Sequence, residues 1–525
     1  LVLILFITTS LIYSVRVRPR IQAQYVNLVT SNIASIGEIG RLHDLGLLSS
    51  ELSQSEPNKR IASNSESSSL LEKMKLLLQS HLCLRRLMVW NPDDSSFRLQ
   101  AAIVSDLQSE YAYQQAKAFE SDGDTRPKIE ERLNQAAMYQ RQALDEMQRV
   151  ALSNEKWSTV ATLWLAKKRM ENHFEISAKE LVSLEQSIRK GGKNLSTAIS
   201  PEQVLGQLLI ARALKADSEL TSDQRRELLQ EAKRLMHDTA ESDLSAMSWK
   251  ALADSGIEPL VAKELAWKTA QLYWSSPLVN TPSPTSIAAV FNCLIIGDSF
   301  REAQNLIGDR ISKLTHTEQS TLRKLTAIAC IQSAIATSLL SEHSATGNGN
   351  RVASCLTLAI LLDPESSELA SFLKPALTGS HAPWAASILE NQKSDNPSVN
   401  HLVAVAQSIF QNQIVPDCKK LIESVNTMPA FGMAASKLLV RLVNDSPESI
   451  ESVERVIQVL RSINESRPEL LSVWTDRAGL HVKIKQYDQA IECLKYVQNQ
   501  LPNSEDIRAS IDHVMKLRSE IAQAR

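Results

Sequence analysis

Apolar residues return at helical intervals along most of the chain. Ile450, Val453, Val456, Ile457, Leu460 and Ile463 form one run, and Leu228, Leu229, Ala232, Leu235 and Met236 another. Steps of three and four place such residues on one side of a helix, so each helix needs neighbours to cover it. The pattern predicts helix after helix from residue 70 to the end, with almost no strand-type alternation. The expected class is all-α. Ile33, Ile36, Ile39 and Leu42 add a predicted helix within 16–48.

Punctuation supports the same reading. Pro-Glu steps recur at Pro201-Glu202, Pro364-Glu365, Pro447-Glu448 and Pro468-Glu469. Proline loses no hydrogen bond at the first helical position, and glutamate opposes the positive end of the helix dipole. Each step therefore predicts a helix start. Thr221 and Gln224 have capping-box spacing before an amphipathic run. Asn348-Gly349 lies in SATGNGN between Ala-rich stretches and predicts a loop.

A period then emerges. Pro468 and Pro502 stand 34 residues apart, each after an amphipathic helix. Trp474, Ala478, Tyr487, Ala490, Leu494 and Pro502 follow in the order large, small, aromatic, alanine, large apolar, proline. These spacings resemble a tetratricopeptide repeat (TPR), in which small residues let two helices approach and large ones fill the groove between them. Val456, Leu460, Ile463 and Pro468 keep the frame in the preceding unit but lack the aromatic. The aromatic-x-x-Ala step returns at Tyr113–Ala116 and Phe300–Ala303, with Gly297 marking an interhelix turn. Leu356, Ala359 and Pro364, and also Pro92-Asp93, resemble repeat exits. Arg477, His481, Lys485 and Val497 depart from the family's usual choices. The match is good over 435–525, loose from 70 onward, and mostly lost between 120 and 285.

The resemblance implies antiparallel helical hairpins stacked into a right-handed TPR-like solenoid, with proteins or peptides bound in a groove lined by first helices. Its groove positions fall on Ser472, Thr475, Gly479, Val482 and Lys483. The Lys/Asn-rich set that clamps a terminal carboxylate in some members is replaced by Ser472, Asp476, Gly479 and Lys483, so that specialisation is not expected. Trp267 and Trp274, seven apart on one helix face, point to core packing, with an exposed aromatic ligand platform as the alternative.

The start of the chain adds a membrane expectation. LVLILFITTSLIYSV is fifteen residues without a charge, followed by Arg16, Arg18 and Arg20. As a helix it spans ~22 Å against a ~30 Å hydrocarbon core, and the chain begins at Leu1 rather than Met. The expectation is a truncated transmembrane helix over 1–15 in a single-pass membrane protein contacting the bilayer there. A cleaved signal peptide and a buried helix are the alternatives. The side occupied by the rest of the chain is open. Behind it the expected organisation is a juxtamembrane helix over 16–48 and a linker over 49–69 containing nine serines. Diverged TPR-like repeats would follow over 70–285, then TPR-like repeats with a polar C-terminal capping helix over 286–525.

Composition narrows the chemistry. The charges, 57 basic against 59 acidic, leave no polybasic surface for nucleic acid. Only 15 glycines leave few positions for phosphate-cradling loops. RKGGKNLS at 189–196 lacks the leading glycine and final hydroxyl of a P-loop, and no GxSxG elbow or HExxH pair occurs. Cys83, Cys293, Cys330, Cys355, Cys418 and Cys493 are scattered and read as small apolar residues within helices. No metal, cofactor or catalysis is expected. The leading expectation is a membrane-anchored, non-catalytic protein-interaction scaffold. One alternative is the C-terminal repeat region of a larger membrane enzyme or receptor, such as a transmembrane Ser/Thr kinase with its catalytic domain upstream. Another is a periplasmic-facing envelope or secretion component.

Overall fold

A computed structural model describes residues 17–38, 41, 69–121, 126–153, 157–171, 176–191, 200–216, 219–237, 243–276, 283–340, 345–378, 402, 419–444 and 450–523. Among these residues all regular structure is helical. The chain divides into two compact units, 1–208 and 209–525.

In the first unit, α1 (Arg18–Ser35), α2 (Leu70–Trp90), α3 (Ser95–Ser121), α4 (Arg126–Ala151), α5 (Ser158–Glu171) and α6 (Ala178–Gly191) each pack on the next. Val29, Ile33, Leu84, Leu107, Met147 and Ala161 are among the residues of the shared core. Ser69 opens α2 with a capping box: its hydroxyl accepts the Glu72 N–H at 3.3 Å, and the Glu72 carboxylate accepts the Ser69 N–H at 3.1 Å. Arg41 ties the end of the α1 segment to α3 through Asp106 at 3.3 Å and Glu110 at 2.5 Å. Lys168 of α5 reaches Asp106 from the other side at 3.3 Å.

The single-pass membrane expectation is corrected here. Among the described residues, no helix is long and apolar enough to cross a membrane. α1, within the segment expected as a juxtamembrane helix, turns Val29, Ile33 and Ala34 onto protein and donates from Asn32 to the Leu76 carbonyl and the Ser80 hydroxyl, both at 3.2 Å. Segment 1–15, on which the expectation rested, and Ile39, Leu42 and 49–68 lie outside the described residues.

α7 (Pro201–Ala213) contains the boundary between the units. The second unit continues with α8 (Ser222–Leu235), α9 (Leu244–Ser255), α10 (Pro259–Ser275), α11 (Pro284–Ile296), α12 (Phe300–Ile311), α13 (His316–Ser338), α14 (Ala345–Leu362) and α15 (Ser367–Thr378). It ends with α16 (Lys419–Thr427), α17 (Pro429–Asn444), α18 (Ile450–Ser466), α19 (Leu471–Lys483), α20 (Tyr487–Gln500) and α21 (Glu505–Gln523). Several helices here pack on both the next helix and the next but one. α9 meets α10 and α11, α11 meets α12 and α13, and α17 meets α18 and α19. That alternation is the geometry of stacked antiparallel hairpins. Gly432 lets α16 and α17 close together: a Cβ there would lie 2.5 Å from Val425 Cγ1.

Two kinds of connector recur among the described residues. In the first, a helix ends in a six-residue carbonyl-capping turn with one residue in the left-handed region. After α11 that residue is Asp298 (φ 61°), with Ser299 N–H donating to the Leu294 carbonyl at 2.8 Å. Gly297, expected to mark the turn, is the residue before it, at φ −78°. After α19 the left-handed residue is Lys485 (φ 62°), and Gln486 N–H donates to the His481 carbonyl at 2.8 Å. A side chain is strained there, so Lys485→Gly should stabilise the protein by ~1 kcal/mol, read as a raised midpoint in thermal unfolding.

The second connector recurs four times. Asn91, Asp363, Arg467 and Leu501 each donate back to the carbonyl four residues earlier, at 2.9, 2.9, 2.8 and 2.9 Å. Each is then the first residue of a turn with proline second, closed by Asp94, Ser366, Leu470 and Ser504 at 3.2, 3.2, 3.2 and 3.1 Å. Proline's fixed φ suits that second position. This corrects two of the Pro-Glu readings: Pro364 and Pro468 sit in the turn, and the helices begin at Ser367 and Leu471. Pro201 does open α7, and Pro447 lies outside the described residues. The Thr221–Gln224 capping box is present. The loop expected at Asn348-Gly349 is instead the first turn and a half of α14, whose packing along α13 outweighs the ~1 kcal/mol that each helical glycine costs.

Candidate functional site

The groove residues named from the sequence lie on α19, whose position is set by its neighbours α17, α18 and α20. Ala478, Ala490 and Leu494 are buried in one cluster with Ile511 and Val514 of α21, and Trp474 and Tyr487 are half-buried against it. Pro502 lies apart from that cluster, exposed in its turn. Trp474 stacks on Tyr496 of α20 with ring centroids 4.1 Å apart, and its indole N–H donates to the Pro468 carbonyl at 3.1 Å. The Arg477 guanidinium lies 4.7 Å from the same ring and donates to Cys493 Sγ at 3.2 Å and to Asn464 Oδ1 at 3.3 Å. Arg477, one of the departures from the repeat pattern, thus has a packing role.

The five groove candidates divide. Gly479 is exposed, and a Cβ there would meet nothing within 4 Å. Lys483 is exposed along its stem, with Nζ donating to the Val443 carbonyl at 3.3 Å and to Asn444 Oδ1 at 3.1 Å at the end of α17. Thr475 is half-buried, its hydroxyl turned back to the Ser472 carbonyl at 2.7 Å. The Ser472 hydroxyl is shielded and has no hydrogen-bond partner among the described residues. Val482 packs against the α19–α21 cluster. Between them Asp476 accepts from Ser436 of α17 at 2.7 Å. Burial pushes its carboxyl pKa up, against the pull of the Ser436 hydroxyl and Lys437. A row of polar contacts therefore runs between the first helices α17 and α19, with open space at Gly479.

The paired tryptophans of α10 overturn the core-packing expectation. Trp267 is 58% and Trp274 48% exposed, and Leu260 and Val261 are exposed beside them. The helix turns Ala262, Ala266, Ala270 and Tyr273 inward instead. Small residues suit the close approach to α9 and α11, which leaves no room for indoles on that side. The spacing located the stripe but could not say which face is covered.

The remaining chemistry is quiet. Cys293, Cys330, Cys355 and Cys493 are buried and unpaired, and Cys83 is half-buried. Burial pushes the Cys293 thiol up to about 12 and the Cys355 thiol up to about 11, so neither is a thiolate at neutral pH. Cys418 and most of the RKGGKNLS segment lie outside the described residues. Among the described residues no group of three or more His, Cys, Asp or Glu is placed to hold a metal.

No family model matches the chain, and no curated protein matches it. A structural match to a crystal structure of yeast Tom70 spans 90% of this chain and 91% of that one at 13% identity, with a TM-score of 0.20. At that score the likeness carries no argument about this chain. Among the described residues the protein is all helical, and its second unit is laid out as antiparallel hairpins.

Proposed function

We propose that the protein is a non-catalytic interaction scaffold built from TPR-like hairpins, and that it binds extended segments of other proteins along the face of its first helices. The observation that carries the reading is the connector repeated at Pro92, Pro364, Pro468 and Pro502, with the same helix-ending bond and the same turn each time. Within the second unit, hairpins that repeat one exit at Pro364, Pro468 and Pro502 can stack into a shared face, and such faces serve as extended binding surfaces. On α19 that face would offer Ser472, Thr475, Gly479 and Lys483, with Val482 as its apolar floor.

A photo-crosslinking amino acid at Thr475 or Gly479 is expected to capture partner peptides from an extract of the source cells. The same group at Lys495, exposed on α20, should capture none of them. Equal capture from all three positions would sink the groove reading.

A further inference from the structure

α2 is apolar on two opposite sides. Leu77, Ser80, Leu84 and Leu87 face inward, where α1 and α3 cover them. On the outer side Leu71, Leu78, Leu82 and Val89 are between 50% and 79% exposed. With Lys75 and Arg85, also exposed, they occupy positions 71, 75, 78, 82, 85 and 89. The steps are four, three, four, three, four, which is the seam of a coiled coil. It runs for ~27 Å at 1.5 Å per residue. Four large apolar residues exposed along one row, interrupted only by Lys75 and Arg85, are unusual on a surface that meets only water.

The charges on the seam select its occupant. Lys75 and Arg85 are its only charged positions, and neither makes an ion pair among the described residues. Pairing with a second copy would oppose like charges in either direction: antiparallel sets Lys75 against Arg85, and parallel sets each against itself. A bilayer surface suits a broad apolar face, whereas two seam positions per seven residues make a narrow one. The nearest acid on the helix, Glu72, is held in the capping box with Ser69. We propose that the α2 seam docks an amphipathic helix of a partner protein, with apolar residues at the same spacing and carboxylates facing Lys75 and Arg85. The seam belongs to the first unit and shares no residue with the α19 face, so either reading can fail alone.

The test uses the whole chain and a fluorescein-labelled helical peptide with leucines at four-three spacing and glutamates opposite Lys75 and Arg85. Fluorescence anisotropy should show it binding about tenfold or more tightly than the same peptide with lysines at those places, with the gap closing as salt rises. The double substitution Leu78→Asp and Leu82→Asp should abolish binding. Lys75→Glu with Arg85→Glu should reverse the preference toward the lysine peptide; because it leaves the apolar residues intact, it decides the matter even if the aspartate variant unfolds by circular dichroism. Equal binding of the two peptides, or of neither, overturns the proposal. So does self-association in light scattering that Leu78→Asp removes, or binding confined to phosphatidylserine–phosphatidylcholine vesicles.

Discussion

Glu368→Gln is expected to destabilise the second unit by about 3–5 kcal/mol, the range for breaking a buried ion pair by removing one partner. Glu368 lies in the first turn of α15, and its carboxylate is bonded to Lys215 Nζ, just beyond α7, and to the Ala216 N–H at 3.2 Å. Both side chains are 9% exposed. The substitution leaves an ammonium group shielded from water with only a neutral amide to face it. Lys215→Met should cost a similar amount, for the mirror reason. The double variant Lys215→Met, Glu368→Leu should recover most of the loss, since a buried pair gains little over well-packed apolar residues. Urea denaturation of the four proteins checks this. A single variant that unfolds at the parent's midpoint would show that the pair is hydrated.

The second large effect belongs to Arg225, a fully buried arginine on α8. Its guanidinium donates to the carbonyls of Ala213, Lys215 at 3.1 Å and Leu220 at 3.3 Å, closing the bend between α7 and α8. Arg225→Met keeps much of the volume and removes every donor, leaving three carbonyls to find new partners. The expected cost is about 3 kcal/mol or more. Arg225→Lys should recover only part of it, because an ammonium cannot span the fork of a guanidinium. Since Arg225 holds the carbonyl of Lys215, its loss and that of Glu368 are coupled. The double variant should fall short of the sum of the singles. Strict additivity in the same denaturation series would separate the two sites.

Much of this architecture was legible in the chain. The three-and-four spacing of Ile450, Val453, Val456, Ile457, Leu460 and Ile463 predicted α18, which buries all of them but the exposed Ile450. Thr221 and Gln224 announced the start of α8, since capping depends on residues within one turn. Proline at 364 and 468 marked a boundary correctly and its type wrongly. A proline suits both the first helical position and the second position of a turn, and only the backbone on both sides distinguishes them.

The candidate surfaces were less legible. Periodicity found the stripe through Trp267 and Trp274 but placed it inside, because large apolar residues usually are inside. On α10 the alanines take that place. α2 carries leucines on two sides, and nothing local says which side α1 and α3 will cover. Lys215 and Glu368 are more than 150 residues apart, beyond the reach of any spacing rule.

The sequence by itself determined most of the helices and the Thr221 cap, because those features depend on residues a few positions apart. Only the tertiary structure decided which face of each helix meets a neighbour. It thereby put Ala266 inside and Trp267 outside, paired Lys215 with Glu368, and left Leu71, Leu78, Leu82 and Val89 in a row facing water. Burial depends on what packs against a helix, and that is settled by residues far away in the chain.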